Sequence, residues 1–204
     1  MSIRKIRRLE DWEIQRLPEA DTVERRFSDC LEQFTKGRYY VIKCGRGNKG
    51  EELPIDATEH IDYGLIRHGK DEEFISFIDV VGRDCAINSY PDYVVRNYKG
   101  AFIKNALQYN IPTFIIQEMK RENAPLVNRY IWVNGERVIK YQLKELERKM
   151  GEPQWNHPVP ITEWHRGLES FIKYIEQLPD ILDLYLDYKD VLFNPISGVG
   201  FIDE

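Results

Sequence analysis

The chain has 204 residues, with 29 Lys+Arg against 34 Asp+Glu for a formal charge of −5, and is 42% hydrophobic and 12% aromatic. No stretch approaches the roughly 20 consecutive apolar residues of a membrane span, and the aromatic content is too high for a disordered protein. The mild negative charge argues against a protein that simply coats nucleic acid, but not against an enzyme that uses a few carboxylates to hold metal on a phosphate backbone. The length fits one domain with extensions. Cys30, Cys44 and Cys85 show no C-x-x-C spacing, and the start, MSIRKIRRLE, lacks the apolar core of a secretory signal. The expected setting is therefore intracellular, with ordinary thiols.

In chain order, the first helix is expected from Asp21. There Asp21 and Glu24 form a capping-box pattern, and Val23, Phe27, Cys30, Leu31 and Phe34 recur at helical spacing to Lys36-Gly37. Tyr39 to Cys44 reads as a strand entering the Gly-rich loop GRGNKG, and Ile61 to His68 with Phe74 to Val81 reads as a hairpin. A second helix is expected with Ser89 as cap and Pro91 in its first turn, carrying Val94, Val95, Tyr98, Phe102 and Ala106, before the buried strand TFIIQEM.

Further on, Arg129 to Tyr141 reads as a hairpin with Asn134-Gly135 at its tip, and Leu143 to Met150 as a short helix. EPQWNHPVP reads as a Pro-rich connector, and Thr162 as the cap of a long amphipathic helix through Leu178. The segment DILDLYLDYKDVLF satisfies helix and strand templates equally. Charge is uneven: residues 36–49 hold five cations and no acid, whereas the chain from Glu176 onward is acidic.

No phosphate loop, G-x-S-x-G, H-E-x-x-H or C-x-x-C pair is present, and His157 and His165 are better surface or packing residues than ligands. What remains is carboxylates on strands. Antiparallel pairing can bring Asp62, near the start of one hairpin arm, to the same end of the sheet as Asp79, near the end of the other. An Asp within an apolar strand is costly to bury unless neutralised, and a divalent cation shared with Asp62 would neutralise it. Glu24 fits equally as a capping residue or as a further ligand. An ion-paired structural role for Asp62 and Asp79, with Arg67 or Arg83 nearby, stays open.

These residues resemble the PD-(D/E)XK, or restriction endonuclease-like, nuclease superfamily, and particularly archaeal Holliday junction resolvases and related nuclease-like proteins of archaeal viruses. The resemblance rests on Glu24 in TVERRF, the strand and loop YYVIKCGRGNKG, Asp62 in HIDYGL and Asp79 in FIDVV, and covers roughly the first 120 residues. It implies an α/β core of helix, three-strand meander, crossover helix and strand over residues 1–125. A C-terminal hairpin and helical extension would occupy residues 126–204.

The resemblance implies Mg²⁺ or Mn²⁺ held by Asp62, Asp79 and Glu24. The lysine expected two residues after Asp79 is Val81, which leaves a relocated lysine, catalysis by metal alone, or inactivity. Lys104 and Lys99 are the first candidates for a relocated catalytic lysine, with Lys43 another. A literal motif, Pro91-Asp92 with Glu118-Met119-Lys120, is disfavoured because a whole helix separates its halves.

The expected function is metal-dependent DNA endonuclease activity, with branched or junction DNA as a candidate substrate. Lys43, Arg46 and Lys49 would grip the backbone, and a homodimer would supply two sites. The alternatives are a catalytically inactive nuclease-fold protein acting in nucleic-acid binding or assembly, and a protein–protein adaptor.

Overall fold

The computed structural model describes residues 6–7, 11–43, 53–54, 61–69, 72–146 and 154–178. The strand β1 (Ile6–Arg7) leads into α1 (Asp11–Thr35), which begins ten residues before the expected Asp21. Asp21 and Glu24 therefore lie inside the helix rather than at its start. Pro18, whose missing N–H marks a helix start more often than an interior, falls within α1 and favours a later start on local grounds. The apolar stripe is real: Val23, Phe27, Cys30 and Leu31 are buried, while Phe34 stands 42% exposed. The helix stops where Lys36 and Gly37 both take positive φ, 55° and 77°, and the Gly37 N–H reaches back to the Glu32 carbonyl at 2.8 Å.

The expected meander follows. After β2 (Tyr39–Lys43), the two-residue β3 (Leu53–Pro54) pairs back onto β1. Then β4 (Tyr63–His68) pairs antiparallel with β2 on one side and with β5 (Glu72–Arg83) on the other, with a bulge at Leu65/Ile66. Residues 89–96 depart from the reading above. They do not begin a helix but include β6 (Asp92–Arg96), and α2 (Asn97–Gln108) starts only afterwards. Tyr93 and Val95 alternate inward in DYVVR, and the pairing that holds them straight is supplied far downstream by β10 (Gln154–Pro160).

After α2 the chain enters β7 (Thr113–Met119), buried throughout and parallel to β5, as the apolar run TFIIQEM implied. β8 (Tyr130–Asn134) then pairs antiparallel with β7, but Asn134-Gly135 is not a hairpin tip. The Asn134 Oδ1 accepts the Glu136 N–H at 2.9 Å and starts the short helix α3 (Gly135–Val138). Glycine is required at 135, because a Cβ there would meet the Ile103 side chain and the Thr113 carbonyl.

The segment expected as a helix from Leu143 contains the strand β9 (Lys144–Leu146), and the Pro-rich connector is largely β10, the middle strand of the order β6-β10-β9. β9 covers only residues 154–156 of β10, so among the described residues Pro158 and Pro160 have a neighbouring strand on one side alone. Thr162 caps no long helix. It lies in a 3-10 turn, followed by β11 (His165–Arg166), Gly167 at φ 78°, and α4 (Leu168–Ile175). The loop 44–50, with Arg46 and Lys49, and the segment DILDLYLDYKDVLF lie outside the described residues.

The result is a mixed α/β fold around a six-stranded mixed sheet, ordered β11-β8-β7-β5-β4-β2. One face carries α1 and α4 over Ile78, Val80, Phe114, Ile116 and Trp132. The other carries α2 over Phe77 and Ile115, through Phe102, Ala106 and Ile103. Among the described residues no helix is long and apolar enough to cross a membrane.

Candidate functional site

Alternation along β5 separates its two faces. Ile78 and Val80 point to α1, and Phe77, Asp79 and Val81 to α2. Asp79 is fully buried on β5, beside Ile115 of β7 and one residue past the end of the β4 pairing. One of its oxygens, Oδ1, is held by the Lys99 ammonium from the first turn of α2, whose side chain is 13% exposed. The other, Oδ2, is buried with no hydrogen-bond partner among the described residues. A carboxylate half satisfied in a buried sheet has unused capacity to accept a donor or a cation.

Asp62 reaches the same place by a different route. β4 begins at Tyr63, paired with Ile78, so the ladder gives the Val80 N–H no β4 partner. The Asp62 Oδ2 takes that N–H at 2.7 Å, which ties the carboxylate to the point where β4 leaves β5. Desolvation and then the neighbouring Asp79 charge push the Asp62 carboxyl well above the usual carboxylate range. Lys99 opposes this, Glu24 adds to it, and the Val80 N–H lowers it slightly. For Lys99, desolvation pulls the ammonium down, but the carboxylates of Asp79 and Asp62 outweigh it and lift it to about 12. Glu24, on α1, is 8% exposed and pairs with the Lys43 ammonium at 3.0 Å. Asp62, Asp79, Lys99 and Glu24 thus form one electrostatic group.

Two further side chains approach from the neighbouring strand ends. Gln117 sits beside Val81 in the β5–β7 register, fully buried, and its Nε2 has no partner among the described residues. Its Oε1 accepts from the Arg83 Nε at 3.3 Å, and the Arg83 Nη2 donates to the Val94 carbonyl at 2.8 Å. Sequence reasoning places neither residue in a ligand set. The usable signal is Gln117 directly after the apolar run Phe114-Ile115-Ile116, a polar interruption like that of Asp79.

The structure therefore brings Asp62 and Asp79 together, and it pairs Glu24 with Lys43 on the α1 side of the sheet, from which the Glu24 charge reaches Asp62. It does not bring Lys104, which stands exposed on α2; Lys99 occupies the place expected of it. The literal motif does not assemble. Asp92 is exposed at the start of β6, and Glu118 is 2% exposed on the α1 face, where Arg26 reaches its Oε2 with both Nε, at 3.2 Å, and Nη2, at 2.8 Å. The Lys120 side chain lies over Gly82 on that same face. His157 is buried, with Nδ1 donating to the Tyr141 carbonyl at 2.6 Å, and His165 stacks on Trp132, so both pack as expected.

Among the described residues no group of three or more His, Cys, Asp or Glu side chains stands ready to hold a metal. The donors of Asp62 and Asp79 nonetheless suit a hard cation. They are all oxygen, one is unpartnered, and their like charges raise the Asp62 carboxyl. No family model matches this chain, and neither a curated protein nor a solved structure does.

Proposed function

We propose that the protein is a metal-dependent DNA endonuclease with a restriction endonuclease-like core, acting inside the cell. Branched or junction DNA is its candidate substrate, and a homodimer would place two sites on it. The observation that carries this reading is the half-satisfied, fully buried Asp79 beside a crowded Asp62, with a lysine delivered from the neighbouring helix. The helix, the three-strand meander and the parallel strand after α2 supply the order that the family resemblance implies.

Asp62 and Asp79 would hold Mg²⁺ or Mn²⁺, with Glu24 beside them. The bound ion would supply a more acidic water and charge neutralisation at the phosphate. The chain's own residues do the rest. The carboxylates of Asp79 and Asp62 favour the charged form of Lys99. It fixes the orientation of Asp79 and offers positive charge toward a phosphate. The Val80 N–H keeps Asp62 aimed at the same spot. Lys43, bound to Glu24, can exchange that partner for a backbone phosphate.

One observation favours a second reading. The ion pair with Lys99 already neutralises Asp79, so the pair suffices as a structural element in an inactive nucleic-acid-binding or assembly protein. Cleavage of duplex, flap and four-way-junction DNA with Mg²⁺ or Mn²⁺ separates the two. The expected result is cutting by the wild type and none by Asp79→Asn. Retained binding with no cutting under either metal would establish the second reading, and cutting that survives Asp79→Asn would remove this site from consideration.

A further inference from the structure

A row of side chains runs across the second, three-stranded sheet toward Asp79. In its register Arg96 of β6 lies opposite Asn156 of β10, and Asn156 opposite Lys144 of β9. Directly opposed residues on antiparallel strands share a face, and strands lie about 4.8 Å apart. The two cations therefore flank Asn156 on one side of the sheet, roughly 10 Å from each other. Arg96 and Lys144 are both exposed, while Asn156 is 6% exposed. Among the described residues no acid pairs with either cation. The Arg96 guanidinium instead donates to the Tyr98 hydroxyl at 2.9 Å and lies 5.8 Å from its ring centre.

The row also points somewhere. Arg96 immediately precedes α2, whose first turn carries Lys99 to Asp79 and contains no acid. Arg83, four residues beyond Asp79 on β5, is fixed to the Val94 carbonyl of the same β6, and desolvation and then the Arg96 charge lower its pKa. Uncompensated cations gathered this closely repel one another unless an anion joins them.

We propose that the row Lys144, Asn156 and Arg96, with Tyr98, is a track for the phosphate backbone of DNA leading into the Asp62/Asp79 site. This rests on the nuclease reading for its destination, and it uses none of the residues of the basic run 36–49. A nucleic acid fits better than an acidic protein partner. The track places an aromatic ring beside the cations, where a base or sugar can stack and an acidic side chain cannot.

The test is equilibrium binding of labelled duplex DNA by the full chain in EDTA, across a salt series, for wild type, Arg96→Gln, Lys144→Gln and the double variant. Lys173→Gln, which removes an exposed cation of α4 paired with Glu169, serves as control, and circular dichroism confirms folding. Each track substitution is expected to reduce the slope of log K against log salt by about 0.9, additively, and the control to leave it unchanged. A double variant that binds with the wild-type affinity and slope overturns the track, even if it still cuts DNA. If the double variant loses the slope while the wild type cuts nothing, the track stands and only the hydrolytic reading fails. Loss of polyglutamate binding in the variants, with DNA binding intact, assigns the face to an acidic protein and also overturns it.

Discussion

Two buried carboxylates sit on adjacent parallel strands, and the chain treats them differently. Glu118 on β7 faces α1 and meets an arginine that grips one oxygen with two donors. Asp79 on β5 faces α2 and meets a lysine on one oxygen only, with the second oxygen unpartnered. Arginine's planar fork locks a carboxylate, whereas an ammonium is a compact point charge that can share it. Glu118 is thus held by two donors from one arginine, and Asp79 keeps a buried oxygen with no partner among the described residues. A buried acid marks a candidate site through its unmet hydrogen bonding, not through burial alone, and this criterion separates the two acids where the literal motif does not.

The largest effect should come from breaking the open pair. Lys99→Met leaves Asp79 charged and buried without a counterion, which costs about 3–5 kcal/mol in urea unfolding and should abolish cleavage. Arg26→Met should cost about 3 kcal/mol, at the lower end because Arg26 is itself 39% exposed and water can take its place. Cleavage per folded molecule should then be unchanged. Equal loss of cleavage in both variants would erase the distinction drawn between the two acids.

The smallest effect concerns Asp62 in EDTA. Its folded pKa lies above the unfolded value, so ionising it disfavours the native state. Its contribution to stability is therefore complete below the unfolded pKa and is lost as pH rises through the folded one. Asp62→Asn should raise Tm at pH 8, by about 2–4 °C per kcal/mol relieved, and the gain should vanish as pH falls into the ordinary carboxylate range. A melting series from pH 3 to pH 8 checks this. An Asp62→Asn variant no more stable than wild type at pH 8 would mean the crowding of Asp62 by Asp79 is already relieved.

Local signals read well where local forces decide. The stripe Val23, Phe27, Cys30 and Leu31, the β4–β5 hairpin and the apolar β7 follow from periodicity and turn composition. Distant partners decide the rest. DYVVR is a strand because β10 lies alongside it, QWNHPVP is a strand in spite of its prolines, and Asn134 caps a helix because Ile103 and Thr113 close over Gly135. In the candidate site the carboxylates are legible as polar residues in apolar strands. The choice between Lys99 and Lys104 is not, since five residues rotate a helix by about 140° and only the packing of α2 fixes which lysine faces the sheet.

Gly100, next to Lys99, has no side chain because the imidazole of His157 fills that space, and the Nδ1 of that ring is fastened to the Tyr141 carbonyl. The first turn of α2 is therefore clamped from outside by residues more than forty positions downstream. Where the lysine stands is set by the C-terminal third of the chain: a cut before β10 would remove the jaw of the clamp and let the lysine swing away from Asp79, even with every acid of the group left in place.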